Sequence, residues 1–481
     1  MNTWKPGCAI LILGAALAAG RTADAPTPPR PNIILCMADD LGWGDTGYHG
    51  HPVVQTPHLD DMARRGLRLE RFYAAAPVCS PTRGSVLTGR HPYRYGIHTA
   101  NDGHLKDEET CLAEVLRQSG YATGHFGKWH LGTLAPDFSG KGPGRQPEQN
   151  YMTPGMAGFD EWFSTEYAVA TWDPYDPVNA HGRSDVRALY WHNGTNLVDA
   201  AAEGLTGCDS RIIMDRAIPF IEAAARAGTP FFAVIWFHAP HAPVIGGPAY
   251  RARYPGQTAD AQHYFAAVTA LDEQVGRLRR RLGELGVRDD TLLWFCSDNG
   301  PEGNPDRQGR HQGSAGPFRG RKRSLYEGGV RVPGIIEWPA RIRQPGQTSI
   351  PAVTSDCFPT ILAALGQDLR ADQRRPFDGL SLLPLIDGRW TERPRPIAFQ
   401  SAGMATLSDN RFKLVHNPGR KRLRSDNGDT PVSEWELYDL AADPGETTNV
   451  APRHPKVVQA MRRKLETWQR SCAASEQGAD Y

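Results

Sequence analysis

Four short apolar runs, Asn32–Met37, Tyr121–Phe126, Phe231–Phe237 and Thr291–Cys296, alternate with stretches of helical periodicity. That alternation demands a mostly parallel sheet covered by helices on both faces. The helices carry their own signals. Thr56 reads as an N-cap with Pro57 at N1 and Gly66 as the stop, and another helix runs from Thr110 to a stop at Gly120. Longer ones are expected at Ser210–Ala227 and Ala261–Leu285. After about Arg393 the pattern changes to short strands, Ile397–Gln400, Phe412–Val415 and Trp435–Tyr438, and a terminal helix, Pro455–Gln469. The expected fold is α/β, a large mostly parallel sheet with helices on both faces, plus a smaller C-terminal α+β domain with a short antiparallel sheet. At 481 residues the chain exceeds one core's usual size, which suits that division.

In an open parallel sheet, ligands bind beyond the carboxyl ends of the strands. Here the first strand leads into Asp39-Asp40 and the second into Gly127-Lys128-Trp129-His130. The third leads into His238-Ala239-Pro240-His241 and the fourth into Asp298-Asn299-Gly300. Singly, these read as solvated caps and turns; Asp-Asn-Gly in particular favours a turn. Together they gather carboxylates, histidines and a lysine around one crevice. Asp39, Asp40, Asp298 and Asn299 offer only oxygen, a set for Ca²⁺ or Mg²⁺ rather than zinc.

The first residues read as an export signal: Lys5, a short apolar run from Cys8 to Ala19, then Ala-x-Ala triplets at 16–18 and 23–25. The run is short for a membrane span, and no later segment is long and apolar enough. Residues 1–25 are therefore expected to be a signal peptide, 26–392 a catalytic domain and 393–481 the C-terminal domain. The product is then periplasmic or extracellular, with no membrane insertion. Removing Cys8 leaves seven of the eight cysteines, and an odd count asks for a special thiol. Cys36 and Cys296 lie in apolar runs and read as packing residues, but Cys79 does not. A formal net charge of +1 gives no global field for an anionic partner, and nucleic acid is not expected.

Cys79-Ser80-Pro81-Thr82-Arg83, followed by Thr88-Gly89-Arg90, resembles the signature of type I sulfatases of the alkaline phosphatase superfamily. Further blocks follow in that family's order: Asp39-Asp40-Leu41-Gly42-Trp43-Gly44-Asp45, Gly127-Lys128-Trp129-His130, His238-Ala239-Pro240-His241 and Asp298-Asn299-Gly300. Gly320-Arg321-Lys322 leads into Tyr326-Glu327-Gly328-Gly329, and Glu436-Leu437-Tyr438-Asp439 matches the smaller domain. The resemblance implies hydrolysis of sulfate monoesters by a formylglycine made from Cys79 by a maturation enzyme. Its hydrate would attack sulfur, pass through a sulfo-enzyme intermediate and release sulfate and an alcohol. Asp39, Asp40, Asp298, Asn299 and the matured residue 79 would hold Ca²⁺. Arg83 would fix the nucleophile, Lys128 and Lys322 would bind sulfate oxygens, His130 would act on the diol and His241 would protonate the leaving alcohol. A phosphodiesterase or phosphonate monoester hydrolase of the same superfamily is the competing reading.

Two further expectations concern substrate. The stretch from Thr133 to Ser184, rich in Gly, Pro and aromatics, reads as an active-site rim. Its Trp162, Trp172 and Tyr175 would face sugar rings of a sulfated carbohydrate, with Asp173 and Arg183 as hydroxyl partners. Arg420, Lys421, Arg422 and Arg424 would either hold anions of an oligomer or form a solvated face.

Overall fold

The computed structural model describes the chain except residues 4–29, 101, 140–144, 177, 179–188, 197–202, 304–309, 420–421 and 426–427; of 195–196, 422–425 and 428–431 it describes the backbone alone. The expected signal segment beyond residue 3, Arg183, Arg420 and Lys421 thus lie outside the described residues, as do the side chains of Arg422 and Arg424.

Five parallel strands form the centre of a ten-stranded sheet: β1 (Asn32–Ala38), β2 (Ala122–Lys128), β3 (Glu161–Thr165), β4 (Phe231–Trp236) and β5 (Thr291–Ser297), in the order β5-β1-β4-β2-β3. Beyond β5, Gly334–Glu337 and Leu67–Leu69 pair antiparallel, and Gly346–Thr348 closes that edge. Beyond β3, Trp191–His192 and Thr195–Asn196 close the other. β3 lies inside the stretch expected to be a loop. The expectation there is corrected: Glu-Trp-Phe-Ser-Thr is short and mixed in polarity, and pairing with β2 and with Trp191–His192 makes it a strand.

Alternate residues of each central strand enter opposite cores. Ile33, Leu35 and Met37 join Val234, Trp236 and Trp294, while Ile34, Cys36 and Ala38 join Ala233, Ile235 and Phe295. The second face is covered by α1 (Pro57–Arg65), α4 (Asp209–Arg226) and α5 (Ala259–Glu284), and the first by α2 (Cys79–Thr88) and α3 (Leu112–Gln118). Burying each such aliphatic or aromatic side chain contributes about 1.5–3 kcal/mol, so two covered faces stabilise the sheet centre. Thr56 precedes α1 as expected, but its hydroxyl accepts from Gly47 N (2.8 Å) and donates to Asp60 (2.9 Å). The open N–H groups of α1 are met instead by Asp272 of α5, which accepts from His58 N (3.1 Å) and Leu59 N (2.7 Å).

The C-terminal sheet is antiparallel, β6 (Ile397–Ser401), β7 (Met404–Ser408), β8 (Phe412–His416) and β9 (Trp435–Asp439), and the last helix, α6 (Pro455–Glu476), packs on it. Its seam with the Glu327 turn and the paired strands Phe72–Tyr73 and Arg331–Val332 buries charge. Lys413 Nζ of β8 meets Glu327 Oε1 at 2.9 Å and Glu446 Oε1 at 3.0 Å, all fully enclosed. Tyr73 OH donates to Glu327 Oε2 (2.9 Å), and Arg331 stands 3.4 Å from the same oxygen.

Candidate active site

Chain ends of β1, β2, β4 and β5 converge on one crevice. Backbone contacts set the acids in place: Asp39 N donates to Ala239 O (3.1 Å), Asp298 N to Ala38 O (3.2 Å) and Asp40 N to Asp298 Oδ1 (3.1 Å). Asp40 sits at φ 66° and His130 at φ 58°, left-handed conformations that L-residues adopt only when their surroundings enforce them. Gly300, just past Asn299, passes so close to Gly328 that a Cβ would stand 2.0 Å from its carbonyl oxygen. Its N–H donates to Gly329 O (2.9 Å). Only glycine allows that approach, and it joins the crevice to the Glu327 turn behind it.

Cys79 opens α2, and all ten residues of that helix are buried. The position is one where unpaired helical N–H groups and the dipole favour an anion. Its Sγ lies 3.5 Å from Asp39 Oδ1. Arg83, one turn on, donates from Nε (3.1 Å) and Nη2 (2.6 Å) to Asp298 Oδ2 and from Nη1 to Lys128 O (3.1 Å). One guanidinium therefore fixes α2 to the ends of β5 and β2. Lys128 Nζ contacts Asp39 Oδ2 at 2.7 Å, and Lys322 Nζ contacts Asp40 Oδ1 at 2.7 Å.

Electrostatics follow from this crowding. Burial opposes the Asp39 charge, yet Lys128, His241, Arg83 and Lys322 hold its carboxyl well below the usual range. Asp298 is pushed up to about 7, first by burial and then by the Asp39 charge. Burial also pushes the Cys79 thiol up to about 12 and, with Lys322 and Lys128, brings His241 down to about 4. Lys322 is raised: burial works against its charge, and Asp40, Cys79, Asp39 and Glu302 outweigh it.

The residues fit a hard cation. Asp39, Asp40, Cys79 and His241 each bring a ligand atom within 4.8 Å of the others. Asn299 Nδ2 donates to Asp40 Oδ1 (2.6 Å) and Gly300 O (2.8 Å), while its Oδ1 is buried without a hydrogen-bond partner. An orphaned buried carbonyl oxygen beside carboxylates is what an oxygen-liganded cation would satisfy.

The two histidines of His238-Ala239-Pro240-His241 are sorted by their partners. His238 is locked into the wall, Nδ1 on Asp209 Oδ2 (2.8 Å) and Nε2 on Thr165 Oγ1 (2.7 Å). His241 contacts Ala242 O through Nδ1 (2.6 Å), so that nitrogen is the donor and Nε2 looks toward Asp40 Oδ2 at 3.7 Å. Sequence reasoning missed Asp209: it opens a long helix, where an acid ordinarily reads as a helix-end charge. His130 is buried two residues past Lys128, its carbonyl 3.5 Å from Arg145 Nη2. From the basic run at 319–323 only Lys322 reaches the acids. Arg319 stacks on Tyr326 at 3.9 Å, and Arg321 donates to Glu302 O (3.2 Å).

The aromatic rim is corrected. Trp162, on β3, is 4% exposed and belongs to the core. Trp172 packs edge-on to Tyr250 and over Gly247, Asp173 accepts from Gly207 N, and Tyr175 packs against the α4 and α5 core. All seven described cysteines are buried and unpaired, Cys36 and Cys296 among them. No helix of the described residues is long and apolar enough to cross a membrane.

The family model described as Sulfatase matches residues 31–367, and one described as N-sulphoglucosamine sulphohydrolase, C-terminal, matches 316–471. Arylsulfatase A of Bos taurus is 32% identical over 489 residues, 95% of this chain and 90% of that protein. N-acetylgalactosamine-6-sulfatase of Sus scrofa is 36% identical over 405 residues, 80% and 71% of the two chains. The crystal structure of Ps i-CgsB in complex with k-i-k-neocarrahexaose superposes with a TM-score of 0.76 at 26% identity, covering 92% of this chain and 93% of that one. With the strand-end acids, the two lysines and the helix-borne Cys79 gathered in one crevice, the chain belongs to the type I sulfatase family of the alkaline phosphatase superfamily and is a sulfuric ester hydrolase.

Proposed function

We propose that the chain hydrolyses sulfate esters of carbohydrates, with Cys79 oxidised to Cα-formylglycine and Ca²⁺ held by Asp39, Asp40, Asp298, Asn299 and the matured residue 79. The observation that carries this reading is Cys79 itself. A thiol pushed up to about 12 is protonated at neutral pH and offers no nucleophile. Yet it opens a buried helix, 3.5 Å from Asp39 and among the crevice cations. A hydrated aldehyde would supply what the thiol lacks, an attacking hydroxyl and a second hydroxyl able to expel sulfate. Ca²⁺, when bound, supplies Lewis-acid stabilisation of charge at the attacking oxygen.

The chain's own groups do the rest. Lys128 and Lys322 are paired with Asp39 and Asp40 at the crevice, where they would meet the sulfate oxygens were those carboxylates to hold a cation. Arg83 keeps Asp298 and α2 in register. His241 rests neutral with its proton on Nδ1, so the proton its Nε2 hands to the leaving oxygen is the one shed by the attacking hydroxyl, and His130 acts on the diol. A sugar alcohol is supported by two likenesses, to N-acetylgalactosamine-6-sulfatase and to a structure holding k-i-k-neocarrahexaose. Export to the periplasm or beyond, by cleavage of a signal within residues 1–25, and maturation by a formylglycine-generating enzyme belong to the same reading.

Mass spectrometry of the tryptic peptide 72–83 tests it, with loss of the thiol sulfur expected in active preparations. Full activity from protein carrying only cysteine at 79 overturns the maturation. Chelation is expected to remove turnover and Ca²⁺ to restore it better than Zn²⁺. If nitrophenyl sulfate outperforms every sulfated galactose, galactosamine and glucosamine oligosaccharide, the carbohydrate assignment fails.

A further inference from the structure

Charge of alternating sign leads out of the crevice through four residues. Lys322 lies on Asp40 at 2.7 Å and 3.5 Å from Glu302 Oε2, and Glu302 Oε1 meets Arg323 Nη1 at 2.7 Å. Side-chain exposure rises along the series, 2% for Asp40, 4% for Lys322, 25% for Glu302 and 63% for Arg323. Arg323 is thus the cation at the mouth. Its backbone is not free to wander: Arg323 N donates to Pro77 O (2.8 Å), two residues before Cys79, and Lys322 N donates to Pro301 O (3.1 Å). The turn is strapped to both lips of the crevice.

The conformation of Arg323 is costly. Its φ is 72°, in the left-handed region where glycine is at ease and a long side chain is not. Strain of this kind persists only where the surroundings enforce it, and it clusters at active sites and ligand clamps. Among the described residues the only ion-pair partner of Arg323 is Glu302, through Nη1, and most of its side chain is exposed. Asp40 and Cys79 are near enough to act on its charge. We infer that Arg323 determines specificity, receiving a second anionic group, a sulfate or carboxylate, on the substrate whose scissile sulfate lies between Cys79 and Lys322. Glu302 is its positioning partner, aiming the guanidinium and keeping the lone cation compensated when no such substrate is bound. An arginine suits this task because its planar fork meets sulfate or carboxylate with two parallel hydrogen bonds.

The inference rests on the crevice assignment above but not on the carbohydrate reading, and the test separates them. Two pairs of substrates are compared: phenyl sulfate with benzene-1,3-disulfate, and a monosulfated with a disulfated galactosamine. Wild-type protein is expected to favour the doubly charged member of a pair in kcat/KM, through KM. Arg323→Gly relieves the backbone, so misfolding is no explanation for its effect; it is expected to cut that preference roughly tenfold, and Arg323→Lys to keep part of it. An unchanged ratio in Arg323→Gly for every pair turned over, or no wild-type preference for the second charge, overturns the inference. A shifted ratio on the aryl pair with no turnover of either sugar leaves it standing and sinks the carbohydrate reading. Turnover of both sugars, with the ratio unshifted in every pair, does the reverse.

Discussion

The catalytic crevice and the seam behind it bury similar sets of charged residues within one Gly300–Gly328 contact of each other. In the crevice, Asp39, Asp40 and Asp298 face Lys128, Lys322 and Arg83; in the seam, Glu327 and Glu446 face Lys413 and Arg331. Both sets sum to zero as ions. They differ in what is left over. The crevice has an orphaned Asn299 oxygen, a helix N-terminus with a nucleophile position, and an outlet through Glu302 and Arg323. The seam is shut, its acids held by Tyr73 OH and by Glu327 N donating to Glu446 Oε2 at 2.6 Å. On the proposed function, pairs of the first kind give way to a cation and a substrate anion; pairs of the second kind tie the C-terminal sheet to the Glu327 turn.

The strongest way to break this contrast is to empty the crevice without touching the seam. Cys79→Ala is expected to lower turnover of nitrophenyl sulfate by roughly 10⁴-fold or more while the melting transition stays in place. His241→Ala comes next: a loss of roughly 10²- to 10⁴-fold is expected on poor alkyl leaving groups and little on nitrophenyl sulfate, whose phenolate departs unaided. Equal losses across a leaving-group series would remove the acid role from His241. Lys413→Met attacks the seam. Leaving Glu327 and Glu446 buried together is expected to destabilise folding by about 3–5 kcal/mol, read as a lowered urea midpoint. If it lowers kcat with no change in midpoint, the seam is not merely structural.

The smallest effect sharpens the picture further. Burial first, and then Glu327, push the Glu446 carboxyl up to about 7 from its ordinary 4.5. An acid raised in this way stays protonated in the folded chain after the unfolded chain has released its proton. Its contribution is therefore full at low pH and is lost as pH climbs from about 4.5 to 7. Glu446→Gln should flatten that slope and, below pH 4.5, change stability by no more than about 1 kcal/mol. Urea midpoints across that pH range decide it.

The same contrast explains what could be read in the residues alone. Strands β1, β4 and β5 declare themselves because each is a continuous apolar run, and β2, though broken by two glycines and a histidine, stands between helical patterns; the crevice residues follow because each sits at or just past a strand's end. Lys413 and Glu446 do not declare themselves: a lysine in a strand and an acid in a turn look like surface until β8 and the Glu327 turn come together across 86 residues. Trp162 misleads for the opposite reason, since an aromatic among glycines and prolines looks exposed until β2 recruits its strand. Asp209 and Glu302 act through partners far along the chain or beyond a turn, and nothing in their local pattern marks them.

The complete burial of α2 reaches into the biosynthesis of the protein. A segment with no accessible residue cannot be grasped by another macromolecule once the helix has docked. The oxidation proposed for Cys79 must therefore reach the chain while Cys79–Arg83 is still extended, during synthesis or passage across a membrane. Folding and maturation then compete in time, and whichever molecule folds first with its thiol intact is permanently inert. The active fraction of any preparation records the outcome of that race, and supplying the maturation enzyme after folding cannot raise it.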